Sequence, residues 1–128
     1  MSSFLFNKGR QGFLGGEFDW VNDNVVALLI DTNSLASSDA TAYSVYTQVS
    51  AAAVKSASVT GKANSDGVAD ADDTTFSSVS GNACEALILY DDTVADRLIA
   101  WIDGFSVQPN TGDITVQWDS GANKIFKL

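Results

Sequence analysis

The fold class predicted is all-β: an antiparallel β-sandwich, jelly-roll-like, with about eight or nine short strands, an N-terminal arm and at most one short helix. Three observations predict it. Short apolar runs rich in β-branched residues recur along the chain, turn residues punctuate it every 8–12 positions or so, and no long amphipathic helical pattern occurs. At 128 residues, 45% of them hydrophobic, the chain suits one domain with one core. Residues 1–128 are read as that domain, with 1–20 as a docking arm and 21–128 as the sandwich.

The opening stretch SFLFNKGRQGFLGGEFDW gathers Phe4, Phe6, Phe13, Phe18 and Trp20 around glycines 9, 12, 15 and 16. So many glycines argue against a long stable helix. The segment reads as an arm whose aromatics anchor either on the domain or on a neighbour. NVVALLID (24–31) is a buried strand closed by the turn residues Asp-Thr-Asn-Ser. After the polar loop 32–42, YSVYTQV (43–49) puts Tyr43, Val45, Thr47 and Val49 on one face of a strand. It also fits a short helix through Tyr46, Val49 and Ala53, and strand propensity leads slightly. Residues 54–79 read as narrow exposed strands, with Asp66-Gly67 marking a hairpin.

ALILYDDTVADRLIAWID (86–103) completes a pair of strands at 84–90 and 97–103. Their apolar runs are nearly continuous, whereas a strand with one wet face alternates. Both faces are therefore covered, by the rest of the fold or by a partner chain. ITVQW (114–118) and KIFKL (124–128) supply the last strands.

Composition excludes several chemistries. The 16 acids against 7 bases give a net charge of −9, and since Glu17 and Glu85 are the only glutamates, nearly all the acid is aspartate, a turn residue. Such a surface repels phosphate backbones, so no nucleic-acid partner is expected. No apolar run reaches the roughly 18 residues of a membrane helix, and the N-terminus lacks a signal-peptide pattern, so no membrane and no export are expected. Without histidine there is no Ser/His/Asp triad, and with Cys84 as the lone cysteine there is no Cys/His zinc set. Cys84 reads as a small buried hydrophobe.

The acids supply the candidate sites. In 62–73, Gly67 in the sixth position of a calcium loop puts Lys62 in the first, where an aspartate ligand belongs, so the register fails. A looser set of Asp66, Asp70 and Asp72 competes with a wet hairpin. Asp91, Asp92 and Asp96 read as the solvated end of a central hairpin, and Glu85, between apolar neighbours, is a weak candidate for a general acid. No phosphate-cradling glycine motif occurs. Neither catalytic residues, metal nor cofactor is expected. Trp20, Trp101 and Trp118 each sit in or beside an apolar run and read as core.

Taken in order, FNKGRQGFLGGEFDW leading into NVVALLIDT, then VADADDTTFSSVSG, ALILYDD, RLIAWIDGF and ITVQWDSGANKIFKL, the chain resembles small virion structural proteins of tailed bacteriophages. The likeness covers nearly the whole chain and departs over 33–65, which lacks a histidine and a Gly-Tyr pair expected of relatives. The resemblance implies a non-enzymatic particle component, first a capsid decoration (cement) protein. It would bind the major capsid protein as a homo-oligomer (trimer or dimer) on the outer capsid surface after synthesis in the host cytoplasm. Docking would then fall to Phe4, Phe6, Lys8, Arg10, Phe13, Phe18 and Trp20. The alternatives are a tail or head–tail connector component, and a carbohydrate-binding attachment module with exposed coplanar tryptophans.

Overall fold

A computed structural model describes residues 4–35, 40–118 and 125–127. Within them the chain is mostly β, with ten strands in antiparallel sheets and one short helix. The strands are β1 (Phe4–Leu5), β2 (Val25–Ile30), β3 (Ala53–Ser58), β4 (Ala63–Ser65), β5 (Val68–Asp70), β6 (Thr74–Phe76), β7 (Ala86–Asp91), β8 (Arg97–Ile102), β9 (Ile114–Val116) and β10 (Phe126–Lys127). The helix, α1, spans Asn7–Leu14.

The main sheet has the order β1-β8-β7-β2-β3, which puts the three continuous apolar runs side by side at its centre. Every residue of β2 and β7 is buried, as are the four central residues of β8. Alternation is missing because each face has its own cover. Val25, Ala27, Leu29, Leu87, Leu89 and Ile99 face a cluster shared with Phe18, Trp20, Val59, Ala69 and Phe76. Val26, Leu28, Ile30, Ile88, Tyr90 and Leu98 face another, closed by Phe6, Tyr43, Val49 and Ala52. The first cover is made by the smaller sheets, β10-β5-β4 and β6-β9, so the architecture is sandwich-like. The chain itself covers both faces.

The second cover decides between the two readings of 43–49 in favour of helical turns over the slightly preferred strand. Tyr46–Gln48 and Ser50–Ala52 are single 3₁₀ turns, and an isolated Val45–Arg97 bridge ties the stretch to β8. The Gln48 side chain explains the local choice. Its Oε1 accepts the backbone N–H groups of Ser44 (2.6 Å) and Val45 (3.0 Å), curling the segment back on itself. Tyr46 then stacks on Tyr90 with ring centres 4.8 Å apart.

A bulge in β8 positions the N-terminal segment. Leu89 pairs with Ala100 but Tyr90 pairs with Leu98, leaving Ile99 as the extra residue. The freed Ile99 carbonyl accepts the Phe6 N–H at 2.9 Å, and Leu98 N–H reaches the Ser44 carbonyl at 2.9 Å. The Asp66-Gly67 hairpin expected between β4 and β5 is present, with φ of 52° and 80° as a two-residue turn of the primed type requires.

Candidate docking surface

Residues 4–20 hold a short strand and one short helix integrated into the domain, in keeping with the expectation of no long helix and at most one short one. The glycines make α1 possible by letting it approach the sheet. A Cβ on Gly9 would lie 2.7 Å from the Ile99 carbonyl oxygen and 2.9 Å from Ile99 Cα. β1 pairs with β8 through Phe4–Trp101 and Leu5–Ala100.

The seven residues expected to dock separate accordingly. Phe6, Phe18 and Trp20 are buried, and a buried ring has no face to offer a partner, so these three belong to the chain's own core. Trp20 Nε1–H donates to the carbonyls of Ala63 (3.0 Å) and Asp70 (3.2 Å). Phe4 and Phe13 are half-buried, Phe4 stacked over Trp101 and Phe13 edge-on to Phe18. Only Lys8 and Arg10 are exposed. The residue missed is Leu14, 90% exposed. Once the helix is known, its period puts Asn7, Arg10 and Leu14 on one outer face. Behind that face Leu5, Arg10, Phe13, Leu14 and Lys127 line a shallow groove of about 360 Å³. The arrangement is an apolar helix tip with Arg10 and Lys127 beside it, in a chain of net charge −9.

At one end of the main sheet, Val25, Asp91 and Arg97 are in register. Asp91 is buried, which corrects its reading as a solvated turn residue. Its Oδ1 accepts the N–H groups of Thr93 (2.9 Å) and Val94 (3.1 Å), shaping the turn into β8. Burial, and next the Asp23 carboxyl hydrogen-bonded to it, push the Asp91 carboxyl up to about 7. Asp92 is exposed and accepts from Asn24 Nδ2 at 3.0 Å, while partial burial and Asp92 raise Asp96. Arg97 turns away from these acids to pair with Glu17 and lies over the Phe18 ring.

No group of three His, Cys, Asp or Glu side chains among the described residues is arranged to hold a metal ion. Asp66 and Asp70 fall on the β4–β5 hairpin, and Asp72 lies against Gly61. Glu85 Oε1 accepts from the Thr32 N–H (3.1 Å) and hydroxyl (2.9 Å), a structural tie between loop and strand. Cys84 is fully buried, and desolvation, then Glu85 and Asp31, push its thiol up to about 11. No described helix is long and apolar enough to cross a membrane. Comparison of the chain with protein-family models, curated proteins and solved structures finds no match.

Proposed function

We propose that the protein is a non-enzymatic structural component of a tailed-phage particle, a decoration protein that binds the major capsid shell through the outer face of α1. The observation that carries the docking face is Leu14, 90% exposed at the C-terminal end of a helix wedged onto the central sheet, with Arg10 and Lys127 beside it in the groove. A fully exposed leucine on a rigid helix gains about 1.5–3 kcal/mol when a partner covers it. Lys8 and Arg10 add charge-assisted pairs to an acidic partner. Weak contacts of this kind, repeated at every symmetry position of a shell, sum to a large resistance against expansion.

The distribution of acid supports decoration over a DNA-lining tube. Exposed Asp19, Asp66, Asp73, Asp92 and Asp113 lie on separate loops, where a lumen would gather them on one concave face. Burial of Trp20 and Trp101 counts against a sugar-binding aromatic platform. Co-sedimentation with shells lacking the protein tests the docking face. Wild type pellets with shells, and Leu14→Ser combined with Arg10→Glu loses at least about tenfold in affinity with no change in melting temperature. Equal binding of the double variant removes the α1 face from the account.

A further inference from the structure

The turn from β7 into β8 is strained and carries two carboxyl pairs. Ala95 and Asp96 are consecutive non-glycine residues in the left-handed region, both at φ 53°, a conformation that alanine in particular adopts only under constraint. Asp91 hydrogen-bonds to Asp23, and Asp96 to Asp92. Two carboxyl groups share a hydrogen bond only while one of them holds a proton, and with both ionised the same contact becomes a repulsion.

The turn holds two other segments in place. Asp92 N–H donates to the Asn24 carbonyl at 2.9 Å and Asn24 N–H to the Thr93 hydroxyl at 2.8 Å, which ties down the 19–24 loop. The Asp96 carbonyl accepts the Tyr46 N–H at 2.9 Å, so the 43–49 stretch that closes one face of the main sheet hangs from the same turn. Among the described residues, the titratable groups around Asp91 are mostly acids. The 19–24 loop brings Asp23 and, behind it, Asp19, whose N–H donates to Asp23 Oδ2 at 2.9 Å. The turn adds Asp92 and Asp96. From β8, Arg97 is in register with Asp91, but its guanidinium is committed to Glu17. From β7 and the 43–49 stretch come the phenols of Tyr90 and Tyr46, and burial, then Asp92, Tyr46 and Asp96, raise Tyr90 further from the neutral range.

We infer that the 91–96 turn is a proton-dependent latch: with its carboxyl pairs protonated it holds the 19–24 loop and the 43–49 cover against the end of the sheet, and loss of the protons lets the strained turn open locally while the sheet stays folded. The geometry supplies both halves of the device. Backbone strain favours opening, and the hydrogen bonds of Asp91 to Asp23, Thr93 and Val94 oppose it. Asp91 sets the working range. Its carboxyl stands at about 7 in the closed turn and returns toward 3.8 when the turn opens to water, so the latch is held at low pH and weakens as pH rises from about 4 to about 7. Asp96, raised as well, acts in the same direction. The inference goes beyond the particle reading and does not depend on it.

Hydrogen exchange of the ¹⁵N-labelled full chain at pH 5 and pH 7, each at several low urea concentrations, tests the latch, with rates expressed as protection relative to the free peptide so that the intrinsic pH dependence drops out. The amides of Tyr46, Thr93 and Val94 are expected to lose protection by roughly tenfold or more between pH 5 and pH 7, with little dependence on urea. Those of Leu28 and Ile88, at the centre of the sheet, exchange only through a global opening that urea promotes. Asp91→Asn removes most of the pH response of the turn amides, and Asp23→Asn gives a weaker flattening by an independent route. Ala95→Gly, which relieves one strained residue, raises the protection of the same amides severalfold at both pH values. Wild-type protection that does not change with pH, an undiminished pH response in both folded aspartate variants, unchanged protection in Ala95→Gly, or turn amides that share the urea dependence of Leu28 and Ile88 overturns the inference.

Discussion

Asp91 ends a strand in which every side chain is buried, and its carboxyl bears on both the shape of the turn and the pH response. Its pKa, 3.8 in the unfolded chain and about 7 when folded, means the native state holds a proton that the unfolded state releases. The contribution is stabilising at low pH and is lost as pH rises from about 4 to about 7. Asp19 and Asp31 are lowered, by hydrogen bonds from Asn22 and Asn82 respectively, and act oppositely, losing stabilisation as pH falls below about 4. Urea midpoints measured from pH 4 to pH 8 should decline for the wild type and stay flatter for Asp91→Asn, which keeps the oxygen acceptor and donates to Asp23. A parallel decline in both proteins contradicts this assignment. Gly9 sets a second residue-scale expectation. Alanine gains about 1 kcal/mol of helix propensity, but its Cβ meets backbone atoms of Ile99 that cannot move aside cheaply. Overpacking of that kind costs about 1–3 kcal/mol, so Gly9→Ala should lower stability by a net 1 kcal/mol or so, read by denaturant unfolding.

Among the elements, β2, β7 and β8 were legible because burial on both faces leaves continuous apolar runs, and the β4–β5 hairpin because Asp66-Gly67 is a local signal. Gly67→Ala, at φ 80°, should cost about 1–2 kcal/mol and leave the α1 surface untouched. Thermal unfolding with amide shifts checks both halves of that statement. What was illegible depended on distant partners. Glycines that lower helix propensity in isolation become assets once the Ile99 bulge lies beneath α1, and nothing local to residues 7–14 announces that bulge. The 43–49 stretch alternates as a strand does, yet the Gln48 amide captures the N–H groups a ladder would need. The same limit applied to the candidate site. Phe6, Phe18 and Trp20 were visible as aromatics, but whether they face a partner or the core depends on the covers above the sheet. Leu14 stands out only after its helix is in place. Asp23 joins Asp91 from a loop far away in sequence.

At the scale of the whole molecule, the exposed acids among the described residues are spread over separate turns, while Arg10 and Lys127 flank Leu14 in its groove and Lys8 lies on the same helix. On the proposed decoration role, this asymmetry would offer one face to an acidic, partly apolar partner and leave the rest to repel neighbouring particles. Binding to shells should therefore weaken as salt rises, because the cations of α1 act at the surface and are screened. The apolar contact of Leu14 should persist. Stronger binding at high salt is the opposite of what this face predicts. The most direct measurement is the position and copy number of the protein on intact particles by electron cryomicroscopy. Decoration predicts hundreds of copies on the outer shell, with α1 turned toward the capsid and the acidic loops outward. About six or twelve copies at one vertex, or a stack along the tail, would contradict it.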